Sequence, residues 1–184
     1  MKISRLASRY AKAVLELAHE RGVVEEVKSD MKYLIQTISQ NSDLWIMLKS
    51  PIIKSDQKKK VMNEIGKNLN QITVSLIKLL IHHRRENNIE DIAATYLEQY
   101  RIFKGIHLVR VTSARPLTNS LRESLIKKIK SSIGGSIELE ENISPEIIGG
   151  LVLRINDREY NSSLKNQLNE FKKAFATNLY KPSF

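Results

Sequence analysis

RIFKGIHLVRVTSARPL, Arg101 to Leu117, is where the chain changes character. Before it, apolar residues recur every three or four positions, the spacing that places them on one face of a helix. Within it, Ile106 to Ala114 is rich in β-branched residues and too short for a helix, so it reads as a strand. Gly105 opens that strand and Pro116 closes it. A boundary here divides the 184 residues into a helical domain, 1–105, and a smaller mixed domain, 106–184.

Working back from Gly105, Ile89 to Lys104 reads as a helix burying Ile92, Ala93, Tyr96, Leu97, Tyr100 and Phe103. Asn87-Asn88 makes a turn before it. Asn70 to about Arg84 is the most telling helix, because Ile72, Val74, Leu76, Ile77, Leu79, Leu80 and Ile81 make it apolar on more than one side. Such a helix is central in its domain or half of an interface. Ser55 is placed to cap a helix burying Val61, Met62, Ile65 and Leu69, and Asn41, Ser42 and Asp43 offer a start for a short helix through Leu44, Trp45 and Leu48 that Pro51 stops. Trp45, the single tryptophan, is expected as a core anchor. Val23 to Ile38 forms a hairpin with an opening helix from Ile3 to about Arg21, ended by Gly22. That opening helix carries two apolar stripes: Ile3, Ala7, Ala11, Val14 and Ala18, and beside it Leu6, Tyr10, Ala13 and Leu17. The first half is thus a bundle of six helices.

Working forward from Pro116, Thr118 or Ser120 caps a helix, Ser120 with Glu123 having capping-box spacing. Its stripe is Leu121, Leu125, Ile126, Ile129 and Ile133, and Gly134-Gly135 turns the chain out of it. Residues 136–141 and 151–155 alternate as half-buried strands, Asn156-Asp157 turns, and Glu159 to Asn161 pairs back. A last helix from Ser162 or Ser163 is expected to bury Leu164, Leu168, Phe171, Phe175 and Leu179. This is a small α/β or α+β domain.

The chain is 41% hydrophobic and 27% charged, an ordinary globular mix. No apolar run approaches the roughly 18 residues a membrane span needs. The basic first fifteen residues look like an organelle presequence, but unbroken helical periodicity through Ala18 favours the first helix of the fold. Charges at Lys2, Arg5, Arg9 and Lys12 interrupt any secretory signal. With no cysteine there is no disulfide and no thiol chemistry, which fits a reducing compartment.

The net charge of +10 divides as +6 before Gly105 and +4 from there on. Its densest run, Lys58-Lys59-Lys60, reads as a solvated helix face. A basic nucleic-acid-binding protein is the alternative the charge raises, but aromatic residues interleaved with the basic ones and a reading motif are both missing. Neither glycine pair supplies a phosphate loop, and tight backbone geometry explains Gly149-Gly150. His82 and His83, adjacent on a helix, point about 100° apart and suit one metal poorly. Glu138, Glu140 and Glu141 lack convergent partners. No catalytic, cofactor or metal residues are assigned, and a non-enzyme is expected.

Four segments then carry a resemblance: RYAKAVLELA (Arg9 to Ala18), LKSPIIKSDQKKKVM (Leu48 to Met62), VTSARPL (Val111 to Leu117) and IIGGLVLRINDREYNSSLKNQL (Ile147 to Leu168). In this order and at these intervals they are similar to the delta subunit family of bacterial and chloroplast F-type ATP synthases, the counterpart of the mitochondrial oligomycin-sensitivity-conferring protein. The resemblance runs from end to end. It implies a six-helix domain whose first and fifth helices form a groove for the N-terminal helix of a catalytic-head alpha subunit. It implies a second domain meeting the C-terminal ends of the peripheral-stalk b subunits. It also implies one copy per complex, a monomer alone, no cofactor and a place on the cytoplasmic face of the bacterial inner membrane without a span of its own. On the first helix the groove residues expected are Leu6, Tyr10, Ala13 and Leu17; on the fifth, Ser75, Leu76, Leu79 and His83. Where the family commonly has aspartate and glycine before the last helix, this chain has Asn161 and Ser162, and asparagine still caps.

Overall fold

In the computed structural model, residues 4–155 and 158–176 are described. Ile3, the turn at Asn156-Asp157 and Leu179 lie outside them. The chain divides between Phe103 and Lys104 into two units. The protein is mostly helical with one small mixed sheet.

The first unit holds α1 (Arg5–Glu20), α2 (Val24–Gln40), α3 (Ser42–Lys49), α4 (Ser55–Ile65), α5 (Gln71–His82) and α6 (Ile89–Lys104), with 3-10 turns at Gly66–Asn68 and Glu86–Asn88. Gly22, at φ +70°, ends α1: its N–H bonds His19 O and that of Val23 bonds Ala18 O. This paired closure needs a left-handed residue that glycine adopts without strain. Asn70 caps α5, its side chain accepting from Ile72 N at 3.0 Å. The core gathers Ala7, Ala11 and Ala18 of α1, Val27, Met31 and Leu34 of α2, Leu80 and Ile81 of α5, and Ile92 and Tyr96 of α6. Burial first, then Tyr100, Glu25 and Asp30 nearby, pushes the Tyr96 phenol well above its ordinary value.

Several side chains depart from the sequence reading. Trp45 is 41% exposed, because Leu44 and Leu48, one turn apart, take the inward face of α3. Its ring lies under the Lys49 ammonium, 3.8 Å away. Asn41 turns backward, donating from Nδ2 to Thr37 O at 2.8 Å, so it closes α2 and leaves α3 without a side-chain cap. Lys54 holds the cap position of α4, and Ser55 is already helical. Val61 and Phe103 are exposed, Phe103 meeting the His19 ring edge-on.

Lys58 is the largest departure. It is 2% exposed, donating to Leu48 O at 3.0 Å and to Glu86 Oε1 at 2.5 Å. One ammonium thereby satisfies the carboxyl end of α3 and joins α4 to the turn before α6. Only Lys59 and Lys60 of that run are solvated.

The second unit holds β1 (Ile106–Ser113), α7 (Asn119–Ile133), β2 (Ser136–Ile143), a 3-10 turn at Pro145–Ile147, β3 (Leu151–Ile155), β4 (Arg158–Asn161) and α8 (Leu164–Ala176). The sheet order is β2-β1-β3-β4. α7 carries the crossover between parallel β1 and β2, and β3 pairs antiparallel to both β1 and β4. Val109 and Val111 are fully enclosed, packed with Leu117 and Ile129 and flanked by Leu125, Leu139, Leu153 and Ile155. Thr118 caps α7, accepting from Leu121 N. The Ser120–Glu123 box does not form, since Ser120 is already inside the helix. Leu121 and Ile133, at the two ends of α7, are exposed. Gly150, at φ +79°, lies where a Cβ would come 2.2 Å from Ser162 O.

Candidate functional site

α1 spends only one of its stripes on the core. Ala7, Ala11, Val14 and Ala18 are buried with Leu15. These small residues let the neighbouring helices approach closely. The adjoining stripe faces outward: Leu6 and Tyr10 are half-buried, Ala13 is exposed, and Leu17 is 37% exposed.

α5 packs beside α1. Its inward face is Ile72, Thr73, Leu76, Ile77, Leu80 and Ile81. Ser75, Leu79 and His83 stand on the outer side, Leu79 at 44% exposure. Leu76 does not join them. It is buried in the unit's own core, one helical step of about 100° round from Ser75.

Polar contacts fix the two helices. Asp30 of α2, buried, accepts from Asn70 N at 2.8 Å and from the Thr73 hydroxyl at 2.7 Å. This clasps the amino end of α5 to the first half of α2. At the other end, Arg85 donates to the Tyr10 hydroxyl at 3.1 Å. α5 therefore runs opposite to α1, with its carboxyl end beside the start of α1. Arg5, Leu6, Arg9, Tyr10 and Arg85 line a shallow depression of about 300 Å³ there.

The second unit carries a different open face. Leu164 and Leu168 of α8 are about half exposed, and Phe171 and Phe175 are 61% and 77% exposed. The sequence reading has them buried; among the described residues of this unit, none encloses them. The start of α8 is well anchored. Asn161 Oδ1 accepts from Ser163 N and its hydroxyl, Ser163 Oγ accepts from Asn166 N, and Leu164 N donates to Gly149 O. Beyond that turn the apolar side of α8 stays exposed among the described residues.

Sequence reading missed Asp30, Glu86 and Arg85 as structural partners. Each acts on a residue far along the chain, and no local pattern encodes that. Among the described residues no group of three potential ligands could hold a metal ion, and no helix is long and apolar enough to cross a membrane. The described His82 and His83 rings lie edge to face, and Glu140 and Glu141 pair with Arg110 and Arg122.

The features above define a two-unit protein, helical then mixed α/β, whose distinctive surfaces are apolar strips on helices. The family model for the ATP synthase delta (OSCP) subunit matches residues 6–175, and the chain belongs to that family, as a subunit of ATP synthase and so part of an enzyme complex. It is 35% identical to ATP synthase subunit delta of Cytophaga hutchinsonii, over 95% of this chain and 96% of that one. Identity to the subunit delta of Carboxydothermus hydrogenoformans is 33%, over 95% and 98%, and to that of Christiangramia forsetii 34%, over 98% of each. A chain of the Toxoplasma gondii mitochondrial ATP synthase hexamer, solved by cryo-EM, has the same fold. Its TM-score is 0.74 over 96% of this chain and 100% of that chain, at 18% identity.

Proposed function

We propose that this chain is the non-catalytic connector of a rotary F-type ATP synthase, holding the catalytic head to the peripheral stalk against the torque of proton-driven synthesis. Its six-helix first unit takes the N-terminal helix of an alpha subunit in the trough between α1 and α5, with Leu6, Tyr10, Ala13 and Leu17 on one wall and Ser75, Leu79 and His83 on the other. Its second unit meets the C-terminal ends of the b subunits, and the open face of α8 is the surface best suited to that contact. The chain works at the cytoplasmic face of the bacterial inner membrane, one copy per complex, as a peripheral component.

One observation carries this reading: α1 keeps a second apolar stripe accessible after its first has filled the core, and α5, packed against α1, leaves Leu79 exposed. Covering a large apolar side chain fully contributes roughly 1.5–3 kcal/mol. These residues are already partly covered and give less each, and ordering the incoming helix offsets part of the sum. Several together still suffice for a stationary joint.

Calorimetric titration with a synthetic peptide of the alpha-subunit N-terminus tests it. Leu79→Asp, which lies on the surface and should leave the circular dichroism unchanged, is expected to weaken binding at least about tenfold, the equivalent of roughly 1.4 kcal/mol. Unchanged affinity in that folded variant would remove the trough from consideration.

A further inference from the structure

The trough is electrically lopsided. At the end where α1 begins, Arg5, Arg9 and Arg85 surround Leu6 and Tyr10. The first turn of α1 has no acidic residue. No carboxylate of a described residue pairs with these three arginines, and Glu86, next in sequence to Arg85, is turned inward onto Lys58. At the opposite end stand Glu16 and Glu20, and Glu26 accepts from the Asn70 side chain. Of the bases flanking Glu16 and Glu20 in sequence, Lys12 already pairs with Glu16 at 3.8 Å and Arg21 follows Glu20, and on α5 Lys78 is exposed. Because α1 and α5 run in opposite directions, their dipoles oppose each other at both ends of the trough. Side-chain charge therefore decides its polarity.

We infer that the Arg5, Arg9 and Arg85 end is an anion site for the helix that fills the trough, which lays a carboxylate-bearing turn there and is thereby held in one of its two possible directions. This rests on the reading that the trough holds a helix. An amphipathic helix can slide its apolar face into an apolar slot in either direction, so greasy contact alone does not choose. The guanidinium fork does, because it matches a carboxylate with two parallel bonds. Arg85 is already steadied by its bond to Tyr10, so less freedom is lost when it pairs. In the reverse direction the same carboxylates would face Glu16 and Glu20, and the arginines would be partly covered without a partner. Such like-charge placement acts against the wrong orientation more than it adds affinity to the right one.

The test uses the full-length chain, labelled with ¹⁵N, and the alpha N-terminal peptide of the same organism carrying a nitroxide at one end or the other. With the nitroxide at the peptide's acid-bearing end, amide signals of Ser8, Arg9 and Arg85 are expected to broaden. With it at the other end, Glu16, Leu17 and Gln71 broaden instead. Replacing the acid-bearing turn's carboxylates by amides should weaken binding severalfold in the natural chain and have little effect in the Arg9→Gln, Arg85→Gln chain. The reversed broadening pattern, or equal affinity of the amide peptide for the natural chain, would overturn the inference while leaving the trough in place. No chemical-shift change along α1 and α5 would overturn the trough itself, and the anion site with it.

Discussion

The two units solve the problem of burial differently. In the first, every helix of the set delivers a face to one core, and even a lysine is enclosed and matched by Glu86. In the second, the fully enclosed apolar side chains among the described residues are Val109 and Val111, with Leu117 and Ile129 close behind, while the apolar strip on α8 faces outward. The first unit has apolar surface to spare after its core is complete. The second has placed surface outside before its core is large, and it depends more on tight backbone geometry and on whatever covers α8.

Four variants can break or sharpen this contrast, taken from the largest effect to the smallest. Lys58→Ala strands the Glu86 carboxylate in the first unit's interior, where removing one partner of a buried pair costs about 3–5 kcal/mol. Lys58→Met with Glu86→Leu should recover most of that loss, as chemical denaturation will measure. A loss of under about 1 kcal/mol for the single change would mean the pair behaves as a surface pair and the enclosure described above is wrong. In the second unit, Gly150→Ala forces a Cβ against Ser162 O at a positive φ and is expected to cost about 2–3 kcal/mol. Hydrogen exchange should locate the damage in β3 and the start of α8, leaving α1 to α6 as they were. Phe171→Ser with Phe175→Ser should change the isolated chain's stability by less than about 0.5 kcal/mol, because exposed side chains contribute little. A clear drop in melting temperature would show that α8 is covered by its own unit and would erase the contrast.

Much of the fold was legible from spacing alone. The stripes on α1, α2, α5 and α6 place those helices closely, and the change of periodicity after Gly105 marks where strands begin. What spacing encodes is which side of an element is apolar. It does not encode whether the same chain supplies something to lie against that side, and α8 is where this mattered: Leu164, Leu168, Phe171 and Phe175 form a stripe that no described residue encloses. Lys58 failed in the opposite sense. Three lysines in a row look solvated until Glu86 and the Leu48 carbonyl are brought to one of them from distant positions. Trp45 lost its inward place to two leucines one turn apart on a helix too short for both. On α1 the exposed second stripe was readable, whereas spacing on α5 did not decide which of two adjacent residues, Ser75 or Leu76, turns inward.

The Asp30 clasp has a kinetic side. The first turn of α5 is fastened to α2 and its far end is tied back through Arg85 to Tyr10, so on the proposed reading both walls of the slot are set before a helix enters. Under that proposal conformational search falls almost wholly on the incoming segment, and the speed of assembly should follow how often that segment is already coiled when it arrives.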